Sequence, residues 1–152
     1  MSDTTTPDTA SSQLPTGEPN ITHDNRRYWE ATAEGRIELP RCTACDLVIW
    51  YPRSICPDCQ STDLSWETMS GNGTVYSHTI TRAGVGRKWR EHLPIVVAYV
   101  QLDEGPIVLT NIVDTDPSII EIGMAVTAVF HDTGHPISDE DGAPNSAILR
   151  FT

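Results

Sequence analysis

Cys42-Thr43-Ala44-Cys45 and Cys56-Pro57-Asp58-Cys59 hold all four cysteines of the chain, and ten residues separate the two pairs. Each C-x-x-C makes a tight turn, and two such turns facing each other offer four thiolates at the corners of a tetrahedron. That is the spacing of a zinc ribbon. Cys42, Cys45, Cys56 and Cys59 have no His or acid beside them at ligand spacing. A closed four-sulfur site leaves no position for water, so the pattern points to a structural metal rather than a catalytic one. Iron in a rubredoxin-like site would use the same thiolates. Asp46 and Gln60 follow the two pairs where glycine often eases the turn, and slight strain is expected there.

Upstream of the ribbon, Asp24 to Gly35 reads as a helix, with Asp24 or Asn25 to cap it and Gly35 to end it. Its less polar side carries Tyr28 and Ala31, joined by Trp29 and Thr32. Tyr28 and Trp29 either pack back on their own domain or anchor a partner, since aromatics suit both settings. Residues 1–25 are dominated by small and polar side chains and are expected to be a disordered tail. They lack the basic start and apolar run of a signal peptide, and no stretch of the chain is long enough for a membrane span. The expected compartment is the reducing cytosol, where paired cysteines favour metal over disulfides.

Downstream, the first pair leads through a short expected strand, Leu47 to Pro52, to the second. From residue 67 the pattern turns to strands: Thr74 to Thr81 after the turn signal Gly71-Asn72-Gly73, then Ile95 to Leu102 and Ile107 to Val113 around Asp103-Glu104-Gly105-Pro106. Pro117 to Ile122 offers one helical turn capped by Asp116. Ala125 to Phe130 and Ala147 to Phe151 are the last two strands, on either side of an expected loop from His131 to Asn145. Five strands with a short helix after the third is the order of an OB-fold barrel. The expected organisation is mainly β: a tail over 1–25, a helix and ribbon over 26–66, and a barrel over 67–152.

The net charge is −11. Without residues 1–25 there remain 17 acids against 10 bases, so phosphate backbones are repelled and neither nucleic acid nor membrane is an expected partner. Arg82, Arg87, Lys88 and Arg90 are the exception, placing four of the ten bases in nine residues between the first two strands. Glycines there permit close backbone approach, and the cations suit phosphate groups. Trp89 among them either stacks on a ligand, plugs the barrel end or meets a partner. His131 and His135 lie four apart, but Gly134 and Pro136 argue against a helix and hence against a paired ligand role. His78 reads as a satisfied structural histidine. No nucleophile motif is present.

The helix, ribbon and barrel, with their local wording, resemble one family: OB-fold proteins with a rubredoxin-like zinc ribbon associated with acyl-CoA metabolism, catalogued as domain-of-unknown-function family 35. The resemblance rests on Tyr28-Trp29-Glu30, Leu39-Pro40-Arg41-Cys42-x-x-Cys45, Tyr51-Pro52-Arg53-x-x-Cys56-Pro57-x-Cys59 and Ser70-Gly71-Asn72-Gly73-Thr74-Val75-Tyr76-Ser77. It continues through Pro94, Leu109-Thr110-Asn111-Ile112-Val113 and Ile122-Gly123-Met124, and covers about residues 26–152. It implies a small accessory subunit that binds and stabilises a thiolase-fold acyl-CoA enzyme, a retro-aldolase or thiolase, in steps such as sterol side-chain breakdown. In this reading the catalytic residues belong to the partner, the small subunit helps form the channel for the CoA thioester, and the zinc is structural. Charge and placement, rather than any family motif, put Arg87, Lys88 and Arg90 on CoA phosphates, and Tyr28, Trp29 and Trp89 are the residues expected against the partner. Two alternatives remain at this level: a nucleic-acid-binding OB-fold module and a free-standing acyl-CoA binder.

Overall fold

The computed structural model describes residues 13–152. Helix α1 spans Arg26–Ala33. It stops where Gly35 takes φ = +73°, a conformation that costs glycine little. Asn25 precedes it, but its side chain turns backwards: Oδ1 accepts from the Thr22 amide (2.7 Å), and Nδ2 donates to the Asn20 carbonyl (3.0 Å) and the Tyr51 hydroxyl (3.1 Å). The residue expected to cap the helix instead ties it to the segment before it and to the ribbon.

Strands β1 (Glu38–Cys42) and β2 (Leu64–Thr68) pair antiparallel and frame the cysteine turns. Leu47 to Pro52, expected as a strand, forms only one isolated bridge, Val48 opposite Arg41. It does lie against β1, with Cys42 N donating to the Leu47 carbonyl and Ile49 N to the Pro40 carbonyl, but the pairing ends after these two backbone bonds. The expected boundary at 66/67 falls inside β2.

Strands β3 (Asn72–Thr81), β4 (Ile95–Leu102), β5 (Ile107–Ile112), β6 (Ala125–Pro136) and β7 (Asn145–Phe151) close a barrel in the order β3-β4-β5-β7-β6. The fold class is therefore the expected one, a mainly β chain with a short helix, a cysteine ribbon and a five-stranded barrel. A short 3₁₀ turn, Pro117–Ile119, follows β5, with the Asp116 carboxylate accepting from the Ser118 amide at 2.9 Å. Side chains alternate along each strand, and Val75, Val100, Leu102, Val108 and Phe151 are almost wholly enclosed. Gly73 is needed where β3 crosses β4, because a Cβ there would stand 2.7 Å from the Gln101 carbonyl oxygen. Tyr28, Trp29, Ile37 and Leu39 join the barrel residues in one continuous core, so helix, ribbon and barrel are packed as a unit.

Three expectations are corrected. Strand β6 does not end at Phe130 but runs on to Pro136, held to β7 by polar groups; Thr133 Oγ1 meets the Ser146 hydroxyl at 2.7 Å. His131 and His135 therefore lie on a strand rather than a loop. A bulge between Val75 and Ser77 shifts β3 by one residue and sets His78 opposite the buried Ala98, and His78 is not the satisfied histidine expected, because its Nδ1 has no hydrogen-bond partner among the described residues. Residues 13–25 are not a disordered tail: Leu14 is buried, Ile21 packs on the main core, and Thr16 Oγ1 donates to the Thr133 carbonyl at 3.3 Å. Two apolar side chains and polar contacts to the barrel order this segment, and its composition could not reveal the barrel groups that meet them. Residues 1–12 of the expected tail lie outside the described residues.

Candidate functional site

The two cysteine turns are one structure used twice. The Asp46 amide donates to the Cys42 carbonyl (2.9 Å) as the Gln60 amide does to Cys56 (3.0 Å). Cys42 N donates to the Leu47 carbonyl and Cys56 N to that of Ser61. Asp46 and Gln60 hold φ of +67° and +62°, the left-handed region expected from their place after the turns. The result is a cluster in which all four sulfurs lie within 4.8 Å of one another, with Cys42–Cys59 and Cys45–Cys56 each at 3.5 Å. A disulfide needs about 2.05 Å. Four thiolates about one tetrahedral ion at the usual metal–sulfur length stand about 3.8 Å apart.

The electrostatics agree with a cation at the centre. Amides of Cys45 and Ala44 pull the Cys42 thiol down to about 7. The Leu47 and Ser61 amides likewise favour the thiolates of Cys45 and Cys59, yet burial and neighbouring sulfurs hold both groups above the usual thiol range. Sulfurs this close cannot all ionise until a cation balances them. Cys42, Ile49, Cys56 and partly buried Leu64 make a small apolar cluster beneath the site. The donor set fits a closed four-sulfur metal centre.

Tyr28 and Trp29 do not face outward. Their rings meet at 5.1 Å between centroids, and Tyr28 also stacks edge-on against Trp50 (5.4 Å) and Tyr51 (5.7 Å). Trp29 Nε1 donates to the Tyr51 hydroxyl at 2.8 Å. Tyr28 is 3% exposed and Trp29 8%, so the expectation that these rings anchor a partner is corrected: they weld α1 to the ribbon. At the edge of this cluster Arg27 lies over the Trp66 ring and pairs with Glu38 at 2.8 Å, which with Arg36 holds the Glu38 carboxyl below its usual range.

Arg87, Lys88 and Arg90 share one short 3₁₀ turn, Arg87–His92, between β3 and β4. All three are exposed, and among the described residues none is in an ion pair. Trp89, between them, is half-buried and lines an apolar cleft of about 290 Å³ with Val85, Ile95 and Val97. The cysteine ribbon and the basic turn are thus separate features.

One buried polar group gave no sign in the sequence. Arg150 on β7 is 2% exposed. Its Nη1 donates to the Leu14 carbonyl (3.0 Å) and to His131 Nδ1 (2.8 Å), and Nη2 donates to the Pro15 carbonyl (2.9 Å). Arginine has only donors, so Nδ1 of His131 must be the accepting nitrogen and the imidazole is neutral. Burial and the Arg150 cation both lower the His131 pKa, against a smaller opposing pull from Asp114.

Residues 29–65 match the family described as ChsH2, rubredoxin-like zinc ribbon domain, and residues 66–131 match ChsH2, C-terminal OB-fold domain. A DUF35 domain-containing scaffold protein of Pyrococcus furiosus is 35% identical over 117 residues, covering 76% of this chain and 83% of that protein. The chain belongs to the DUF35 family. One chain of a solved structure, the Ltp2-ChsH2(DUF35) aldolase, superposes with a TM-score of 0.72 at 31% identity, covering 88% of this DUF35 protein and 97% of that chain. A protein of Thermomonospora curvata named probable enoyl-CoA hydratase alpha subunit is 38% identical over 110 residues. The present chain covers 71% of itself in that match but only 33% of the hydratase subunit, so it spans about a third of that relative's length.

Proposed function

We propose that this DUF35 chain is a non-catalytic subunit that binds and stabilises a thiolase-fold acyl-CoA enzyme, an aldolase or thiolase, and helps form its CoA-thioester channel. The observation that carries this reading is the likeness to one whole chain of a two-protein aldolase, over 97% of that chain. The acyl group is set by the partner. Zinc occupies the four-cysteine site and acts as a brace: it closes both turns at once and has no open position for substrate. Metal analysis of the purified protein distinguishes it from iron.

The CoA role falls to Arg87, Lys88 and Arg90, and the open edge of Trp89 meets the enzyme subunit beside them. The support is charge and placement: the chain is strongly acidic, yet these cations stand together, exposed and without carboxylate partners among the described residues. Retention of a thiolase-type subunit on the tagged chain tests the reading. Within that complex, changing all three cations to Ala is expected to raise the acyl-CoA KM roughly tenfold with kcat unchanged, the size expected of three exposed charge contacts. An unchanged KM removes the cations from the CoA site. Tight binding of CoA thioesters by the isolated chain would favour a free-standing carrier instead.

A further inference from the structure

We propose that Arg150 is a positioning residue for the basic turn: it seats residues 14–15 as a strap across the barrel, and the strap holds the turn in place. Arg150 stands on β7 between inward-facing Leu149 and Phe151, so its side chain leaves the barrel on the outer face, where solvent would normally solvate it. It is nevertheless covered, and what covers it is the strap. Three of its N–H groups are directed at neutral acceptors, two backbone carbonyls of the strap and the His131 ring. Among the described residues no carboxylate lies within ion-pair distance of it, and its Nε has no partner. Burying a cation on these terms is costly, and an apolar side chain could fill the space at less expense. The guanidinium contributes direction instead. Two fixed donors on successive carbonyls fix where the strap lies, which its own sequence, poor in apolar residues, could not do.

Fixing the strap fixes Leu14. Its side chain is buried with Ile95 and Val113, and Val85, Trp89 and Leu93 pack against that same cluster. Leu14 also lines a cleft of about 310 Å³ with residues 91–95, the end of the basic turn and the entry to β4. The turn needs this support. No residue of Arg87–His92 is buried, and among the described residues none of its side chains is in a hydrogen bond. Half-buried Trp89 is its hold on the barrel, and that hold rests on a cluster that Leu14 completes. The chain of contacts runs from Arg150 through the Leu14 and Pro15 carbonyls to Leu14, then to the cluster under Trp89. Its consequence for CoA rests on the proposed role of Arg87, Lys88 and Arg90, whereas the mechanical coupling does not.

The test is amide hydrogen exchange on the full chain carrying Arg150→Met, Arg150→Lys or Leu14→Ala. Arg150→Met removes the donors and keeps the bulk. Its expected effect is exchange at least tenfold faster over 13–16 and also over 87–93, with β3 to β5 unchanged. Arg150→Lys, which retains a donor, restores part of the protection. Leu14→Ala, milder for the fold and applicable should Arg150→Met fail to fold, loosens 87–93 in the same way. Loosening of 13–16 that leaves 87–93 untouched overturns the proposal, as does an effect of Arg150→Met spread evenly over the barrel. Calorimetric titration of the assembled complex with coenzyme A then separates the two readings. Weaker binding in the same variants supports both; unchanged binding with a loosened turn leaves the coupling standing and removes the turn from the CoA site.

Discussion

Gln60 holds φ = +62° four residues after Cys56, and the matching Asp46 holds +67° four residues after Cys42. A left-handed residue other than glycine costs about 1–2 kcal/mol, while glycine in its place loosens the unfolded chain by about 0.4–1 kcal/mol. Gln60→Gly is therefore expected to stabilise the metal-loaded protein by about 0.5–1 kcal/mol, read as a raised midpoint in urea denaturation. Asp46→Gly should gain less, because the Asp46 carboxylate is 3.3 Å from Arg41 and that contact is lost. A second effect at this scale belongs to His131. Burial and Arg150 lower its pKa in the fold, so between the folded and unfolded values the unfolded chain binds more protons. The stability it supports is complete above the unfolded value of about 6.5 and declines as pH falls through and below it. Arg150 faces the ring from β7, and Asp114 acts in the opposite sense from the end of β5. Denaturation curves of the protein and of His131→Gln should run parallel above pH 7 and diverge below 6.5, with the unmodified protein losing more; parallel curves throughout would show the imidazole to be indifferent.

Among elements, the junction of α1 and the ribbon carries the clearest prediction. The Tyr51 hydroxyl accepts from Trp29 Nε1 at 2.8 Å and from Asn25 Nδ2 at 3.1 Å, so one oxygen serves both ends of the contact. Tyr51→Phe leaves both donors without that acceptor and is expected to cost about 1–3 kcal/mol in urea denaturation. A cost near zero would mean water replaces the hydroxyl freely. The helix itself was legible in sequence, because a polar octet with two aromatics ahead of a glycine has few other solutions. The direction of those aromatics was not. Tyr28 and Trp29 suit an interface as well as a core, and only the arrival of Trp50 and Tyr51 from the ribbon decides between them. Strand β6 was underestimated for a related reason. Its second half pairs through Thr133, Ser146 and Asn145, side chains that read as loop until a partner strand satisfies them.

For the whole molecule, the metal site and the barrel differ in what holds them. The barrel has a continuous apolar core, whereas among the described residues the cluster beneath the sulfurs is small, made of Cys42, Ile49, Cys56 and Leu64. Strong chelation is thus expected to speed amide exchange over residues 42–63 while β3 to β7 keep their protection and, under the proposed function, to release the enzyme subunit. A chelated protein with unchanged exchange over 42–63 would show the ribbon to be self-supporting. The sequence by itself determined the metal centre, the order of strands and the family resemblance. Those features are local: a C-x-x-C turn needs only its own residues, and strand alternation only its neighbours. What the tertiary structure decided is everything that depends on contacts between distant residues. It turned Tyr28 and Trp29 inward and moved His78 to the row opposite Ala98. It also laid Leu14 and Pro15 over Arg150, a contact spanning up to 136 positions of sequence. The reason is physical: a buried cation is tolerated only where acceptors are brought to it, and those acceptors are backbone carbonyls, which every residue carries and no residue type announces.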